Sequence, residues 1–467
     1  MRPVYGRAGR RARPPRRRRG QVKHGWTSVG LAAVSLAGCI HYAPEPPPER
    51  YPAALEARRL DEKPAGAVWS GADLLAAALA RNPQVAAARA RHATALAAAR
   101  TAKLGPGLTL TLTGEYADET PHWGYGAAAD VPVDAGVRRR VRVTTADLQA
   151  LQAWYDVGEA AWTVRTALEK ARIDAQSAAV ELPLAEGVVD LRRERLQRLE
   201  RRVAAGEDDR APALVAQNDL GGGERRLAEA RGRSDQAAVA LAKALGVAPP
   251  AVRNLALAPV AEPPALGDLP AWRGQAALSR GDVLRAIADY DIAENALRLE
   301  VTKQYPEVRI GPGYNYDHGV TKLPLNLSLA LPSYDLNRRA IDQAEAGRAA
   351  SGRAMEAVQA DVLSRVDTAA AALATARATL DRLASRELPA ARRAAANTAR
   401  AVRAGEADRV DDLAARAAAL DADLNLLDAR RAVWTATADL EDALRRAFDP
   451  AETAILQAAM TRPGALR

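Results

Sequence analysis

The stretch "KLPLNLSLALP", Lys322 to Pro332, alternates without a break: Leu323, Leu325, Leu327, Leu329 and Leu331 fall on one side, Pro324, Asn326, Ser328 and Ala330 on the other. A period of two residues belongs to a β-strand, so the segment has one purely aliphatic face and one small or polar face. "GLTLTLTGEY", Gly107 to Tyr116, repeats the design with Leu108, Leu110 and Leu112 opposed to Thr109, Thr111 and Thr113. The partners "GYGAAADVPV" and "PEVRIGPGYNYD" are weaker versions, with Tyr125, Ala127, Ala129, Val131 and Val133, and Val308, Ile310, Tyr314 and Tyr316, on their apolar sides. Strands are thus expected at about 107–117, 124–133, 307–317 and 322–332. Those lengths suit a tilted membrane crossing, which takes about 9 to 11 residues. A soluble sandwich is the plainer reading of alternating strands. Four strands cannot close on themselves, however, and an open edge cannot sit in lipid, so a membrane role requires several chains to contribute to one barrel.

Working outward, the two strand pairs belong to two copies of one plan. Arg81 matches Arg280, Pro106 matches Pro306, Tyr116 matches Tyr316, Pro132 matches Pro332, Arg138-Arg139 match Arg338-Arg339 and Gly206 matches Gly405, at an offset of 199 or 200 throughout. That period is far too long for a solenoid unit and marks a doubled domain. Each copy runs helix, two strands, long helix, corner, helix. The copies are expected at 69–250 and 269–448, with a linker at 251–268 and a tail at 449–467.

Val137 to Val203 spans 67 residues with Pro183 as its only proline, and Arg338 to Val402 spans 65. At 1.5 Å per residue each would make an unbroken helix of about 100 Å. Both are rich in Ala, Leu, Arg and Glu, strong helix formers. The 3-4 spacing of Leu373, Ala376, Leu380 and Leu383, and of Leu420, Leu424 and Leu427, suggests coiled-coil-like packing. Pro183 and Pro389 are each expected to bend or break their helix. Gly221-Gly222-Gly223 should cost about 1 kcal/mol per glycine against alanine; a local kink or a site of close helix contact would account for it.

The ends read differently. Residues 1–38 hold ten Lys or Arg and no acid, so the chain's net +9 becomes 9 − 10 = −1 beyond them. The basic balance therefore reports a leader, and nucleic-acid binding loses its main support. A basic region, the apolar run "WTSVGLAAVSLAG" and then Cys39 make a targeting segment too short to span a bilayer. "LAGC", Leu36 to Cys39, resembles the lipobox at which bacterial lipoproteins are cut before a diacylated cysteine; Ile40, rather than Asp, resembles those sent on to the outer membrane. With one cysteine, disulfides are excluded. Residues 39–68 are proline-rich and read as an extended tether. Ordered structure should begin at "WSGADLLAAALARNP", where Ser70 and Asp73 form a helix N-cap signature.

Two corners repeat the same chemistry: "RVAAGEDDRAPAL" at Arg202–Leu214 and "AVRAGEADRVDDL" at Ala401–Leu413. Glycine suits a helix end that needs a left-handed backbone, and acids just beyond suit the next helix's positive N-terminus.

Between Trp69 and Phe448 the chain resembles the TolC-like outer-membrane efflux proteins. The likeness rests on "ALARNPQVAAARAR", on "VPVDAGVRRR" at the strand-to-helix junction, on both Gly-Glu corners and on "KALGVAPP" closing the first copy. The second copy, with "IGPGYNYDHGVTKLPLNLSLALPSYDLNRRAIDQAEAGR" and "ELPAARRAA", is most similar to the CzcC-like branch that serves heavy-metal pumps of the resistance-nodulation-division class. The resemblance implies a mainly α fold with a small β part, forming a trimeric 12-stranded transmembrane barrel on a long helical periplasmic tunnel. It further implies a passive outer-membrane channel of a Gram-negative cell, lipid-anchored at Cys39, fed by a periplasmic adaptor and an inner-membrane pump. The corners become tips that close the tunnel and receive the adaptor. Gly206, Glu207, Asp208 and Asp209, and Gly405, Glu406, Asp408, Asp411 and Asp412, are the candidate gate and contact residues, with capping as the plainer role for the acids. Pro212 stands where an acid like Asp411 is expected, which sets the two tips apart.

Enzymatic readings find no foothold. The five histidines, His24, His41, His92, His122 and His318, have no metal-ligand spacing, and no Walker, Rossmann or nucleophile-elbow pattern occurs. No cofactor is expected. Tyr116, Trp123, Tyr125, Tyr314 and Tyr316 read as an interfacial aromatic girdle. The alternative from another class is a lipid-anchored periplasmic coiled-coil scaffold or adaptor, which would have no use for lipid-facing strands.

Overall fold

The computed structural model describes residues 42–44, 51–61, 63–64, 66–118, 120–133 and 136–460. Its elements are α1 (Tyr51–Ala57), α2 (Gly71–Arg81), α3 (Pro83–Lys103), β1 (Thr109–Tyr116), β2 (Trp123–Pro132), α4 (Val137–Ala204), α5 (Arg210–Leu245), α6 (Leu269–Ser279), α7 (Gly281–Thr302), β3 (Glu307–Asp317), β4 (Val320–Lys322), β5 (Leu325–Ala330), α8 (Arg338–Arg382), α9 (Leu388–Ala404), α10 (Arg409–Leu444) and α11 (Pro450–Ala459). A π-helical turn at Leu383–Glu387 joins α8 to α9.

Local chemistry sets the starts and stops. Ser70 caps α2 in a full capping box, its hydroxyl accepting from the Asp73 amide at 3.2 Å while Asp73 accepts from the Ser70 amide at 2.9 Å. The Lys63 ammonium and the Ser70 hydroxyl hold the Asp73 carboxyl down to about 2. Asn82 caps α3 through the Gln84 amide, with Pro83 in the first turn, where its missing N–H costs nothing.

The strands form one antiparallel sheet in the order β1-β2-β3, with β4 and β5 both on the far side of β3. The strand expected over 322–332 is therefore split, although its register is continuous: Asn315 faces Lys322 and Glu307 faces Ala330. The interruption falls at Leu323-Pro324. Pro324 has no amide to donate, and only its carbonyl is used, accepting from the Gly313 amide at 2.8 Å. The leucines of β1 and β5 are exposed, Leu112 at 72% and Leu327 at 66%. The outer edges of β1 and of β4–β5 are unpaired among the described residues. No helix among them is long and apolar enough to cross a membrane.

Two further expectations are corrected. The 39–68 segment is not extended throughout, since it contains α1, and Arg58 then donates to the Gly246 carbonyl at 3.0 Å. The long helix α4 continues unbroken through Pro183 for 68 residues; α5 and α10 pack along it, and that packing sustains the helix despite the missing proline amide. Pro389 does mark an interruption. The π-turn takes up the irregularity upstream and leaves Pro389 in the first turn of α9.

The duplication reaches side chains. Arg193 pairs with Glu224 at 3.4 Å and, 199 residues on, Arg392 pairs with Asp423 at 2.7 Å. Each copy has its own core. Leu74, Leu75, Trp162, Leu241 and Leu245 anchor the first, joined by Leu456 of α11. Val283, Val362, Val366, Leu373 and Leu440 anchor the second. The C-terminal segment, expected as a tail, is thus a helix of the first copy's core.

Candidate functional site

Both corners are built the same way. After α4, the Gly206 amide donates to the Val203 carbonyl at 3.1 Å and the Glu207 amide to Arg202 at 2.9 Å. After α9, Gly405 donates to Val402 at 3.1 Å and Glu406 to Ala401 at 2.9 Å. These paired bonds are a Schellman close, and they require the left-handed φ of +74° at Gly206 and +75° at Gly405. An L side chain is strained there at a cost of about 1 to 2 kcal/mol. Gly206→Ala and Gly405→Ala are each expected to lower stability by that amount in thermal denaturation, and equal stability would show that the corners can rebuild without the left-handed residue.

The acids are not equivalent. Glu207, Asp209, Glu406 and Asp411 are exposed. Asp209 stands at the N-cap of α5 without a side-chain cap bond, whereas Asp408 caps α10 by accepting from the Val410 amide at 3.4 Å. Asp412 is 3% exposed. Its Oδ2 accepts from Arg409 at 2.6 Å and lies 3.9 Å from Arg416, so within the protomer it does not present a carboxylate to solvent. Asp411 and Asp412 both sit in the first turn of α10, where the helix N-terminus favours negative charge.

Arg202 joins the two corners. It holds Asp208 of its own corner, Nε to Oδ2 at 2.9 Å, and reaches Asp408 of the other through Nη1. Beneath this clamp, Leu199, Ala216 and Val410 form a small apolar knot between α4, α5 and α10. Sequence reasoning picked out the acids and missed the arginine, although it had a signal: the second copy has Ala401 in the place of Arg202. A second strap lies higher up, where Arg192 donates to the Asp219 carbonyl at 2.9 Å and to Asp421 at 2.7 Å. A Cβ on Gly223 would stand 3.2 Å from Nη1 of Arg192, so the glycine leaves room for this strap.

The sheet supplies the other end of the site. Thr109, Thr111, Thr113, Gly126, Asn315, Asn326 and Ser328 share the face opposite the leucines. Tyr125 stacks on Tyr316 with centroids 5.0 Å apart, and Tyr116 meets Trp123 edge-on at 5.1 Å, on the same side as the leucines. His122 and His318 contact the backbone carbonyls of Ala117 and Pro121.

A sequence profile described as outer membrane efflux protein matches residues 74–247 and 272–444, one block on each copy. The chain belongs to the outer membrane efflux protein family. It is an efflux channel protein of the outer membrane, and its fold is that of solved outer-membrane channels. A membrane protein from Pseudomonas aeruginosa superimposes with a TM-score of 0.69 at 19% identity, over 81% of this chain and 90% of that one. The Campylobacter jejuni CmeC outer membrane channel gives 0.68 at 13%, covering 83% and 89%. The outer-membrane channel OprN gives 0.67 at 18%, covering 80% and 89%. No curated protein matches. Within this efflux protein the corners are the ends of the helical hairpins farthest from the sheet. Cys39 lies outside the described residues.

Proposed function

We propose that three copies assemble into the exit duct of a tripartite exporter. Each would give β1, β2, β3 and the β4–β5 strand to one barrel, 12 strands in all. The long helices would form the tunnel, and the corners at Gly206 and Gly405 its periplasmic mouth. The observation that carries this reading is the open sheet: an aliphatic outer face and two unpaired edges, continuous with a helix of about 100 Å. Lipid tolerates no unpaired edge, so only further copies can complete it.

In this reading the duct does no chemistry and a pump in the inner membrane drives transport through an adaptor that meets the tips. Arg202 holds the two hairpins of a protomer together at the mouth, while Glu207, Asp209, Glu406 and Asp411 line it and favour cations. Cys39 carries the lipid that fixes the chain to the outer membrane. Heavy-metal cations are the favoured cargo, on the likeness of "KLPLNLSLALPSYDLNRRAIDQAEAGR" to the CzcC-like branch.

Single-channel recording in planar bilayers tests it. The purified protein should give discrete conductances of one size, and Arg202→Ala should raise the open fraction severalfold. Asp411→Asn should lower cation over anion selectivity without changing the open fraction. Silence from both the parent and the Arg202→Ala protein would favour the lipid-anchored scaffold instead.

A further inference from the structure

Gly221-Gly222-Gly223 lies inside α5, where glycine weakens the helix. Gly223 makes room for the Arg192 strap, and a Cβ at Gly221 would meet nothing within 4 Å. Gly222 is different. A Cβ there would stand 3.9 Å from Nη1 of Arg192 and 4.0 Å from Nη2 of Arg225, so its missing side chain leaves a hollow between two guanidiniums.

The hollow belongs to an open cavity of about 500 Å³ with walls from three helices. Its arginines are Arg192 of α4, Arg225, Arg226 and Arg233 of α5, and Arg431 of α10. Three of them are engaged: Arg192 with Asp421 at 2.7 Å, Arg226 with Asp428 at 2.8 Å, and Arg233 with Glu181, which is 2% exposed. Glu229, the remaining acid of the cavity, lies 3.9 Å from Arg233. Arg431 comes no nearer to Asp428 than 4.0 Å. Arg225 has no ion-pair partner among the described residues. Even with Glu181 counted, five arginines outnumber the four carboxylates that serve them, and the surplus donors belong to Arg225 and Arg431.

The offset of 199 shows that the hollow is particular to the first copy. Arg192, Gly222 and Arg225 correspond to Ala391, Asp421 and Leu424, and Leu424 is fully buried at 0% exposure. Where the second copy packs a leucine, the first presents a guanidinium beside a glycine.

We infer that the Gly222 hollow binds an oxyanion of the phosphate class, held between Arg192 and Arg225 with Arg431 facing it from α10. A guanidinium stays charged and presents paired N–H donors that match two phosphate oxygens at once. Glycine lets an oxygen approach the helix where any side chain would occupy its place. One phosphate then ties α4, α5 and α10 together, so it stabilises the folded chain. The site lies within a single chain and does not depend on how chains assemble.

Calorimetric titration of inorganic phosphate into the detergent-solubilised full chain at constant ionic strength, with thermal melts alongside, tests the site. The parent should bind one phosphate per chain saturably and melt at a higher temperature as phosphate replaces chloride. Arg225→Gln and Gly222→Leu should each weaken binding tenfold or more. Leucine strengthens an exposed helix relative to glycine, so the Gly222→Leu loss is not a loss of fold. Gly221→Leu makes the same helical gain without entering the hollow, and it should bind like the parent. A parent that does not saturate overturns the site. So does binding that survives Arg225→Gln, or a loss no larger in Gly222→Leu than in Gly221→Leu. Channel recording plays no part in this readout, so either result leaves the duct to its own test.

Discussion

Replacing Arg165 with methionine is expected to lower the stability of the folded chain by about 3 to 5 kcal/mol, the usual penalty for removing one partner from a buried ionic cluster. Arg165 is 3% exposed, and it lies between Glu441 of α10 and Glu452 of α11, both buried as well. Its Nη2 is 2.8 Å from each carboxylate, and its Nε donates to Glu452 at 2.9 Å. Burial opposes its charge, but Glu441, Glu452 and Glu169 more than offset that and hold it firmly protonated. Methionine fills a similar volume, so the loss is electrostatic: two buried carboxylates would remain with no cation between them.

The pH dependence gives a second readout. Burial pushes the Glu441 carboxyl up, against the pull of Arg165 and the Phe448 amide, which donates to it at 2.6 Å. A carboxyl raised in the folded state binds its proton more tightly there than in the unfolded chain. Its contribution is therefore fully present below the ordinary glutamate range and is lost as pH rises through the raised value. Glu441→Gln should make the chain more stable at neutral pH and flatten that stretch of the profile. The deficit of Arg165→Met should be largest at pH 8 and shrink on acidification, as the stranded carboxylates take up protons. Thermal melts of the three proteins from pH 4 to pH 8 decide it. A deficit independent of pH would mean that Arg165 acts by filling space.

The second large effect concerns the barrel. Val131, Ile310 and Leu327 lie side by side across β2, β3 and β5 on the aliphatic face. If that face meets hydrocarbon, Leu327→Arg should cost about 2 to 4 kcal/mol near the bilayer midplane. Its neighbour in sequence, Asn326, points to the opposite face, across from Gly311. Asn326→Arg should therefore fold into lipid nearly as well as the parent. Urea titrations in vesicles, followed by resistance to protease, compare them. Equal losses from both substitutions, or from neither, would remove the lipid-facing role of the leucines.

Much of the fold is legible because its signals are local and doubled. The alternation of Leu323 to Leu331 fixes a strand and its two faces whatever surrounds it, since successive side chains must point oppositely. Gly206 and Gly405 mark the corners because a Schellman close needs a backbone that L residues avoid. What the sequence could not rank is competition between local preference and packing. Pro183 and Pro389 carry the same local penalty, yet α4 continues through the first, held along its length by α5 and α10, while a π-turn precedes the second.

The candidate site divides along the same line. The amino-acid order alone determined the strands, the doubling, the corners and the set of acids near them, because each is a property of neighbours in the chain. Only the tertiary structure decided what those acids do. Asp408 is held by Arg202 from 206 positions away and Asp412 is buried against Arg409, while Asp411, adjacent to it, stays exposed. Residues one position apart on a helix point about 100° apart, so one meets solvent and the other the neighbouring helices, and that choice belongs to the helices packed against them.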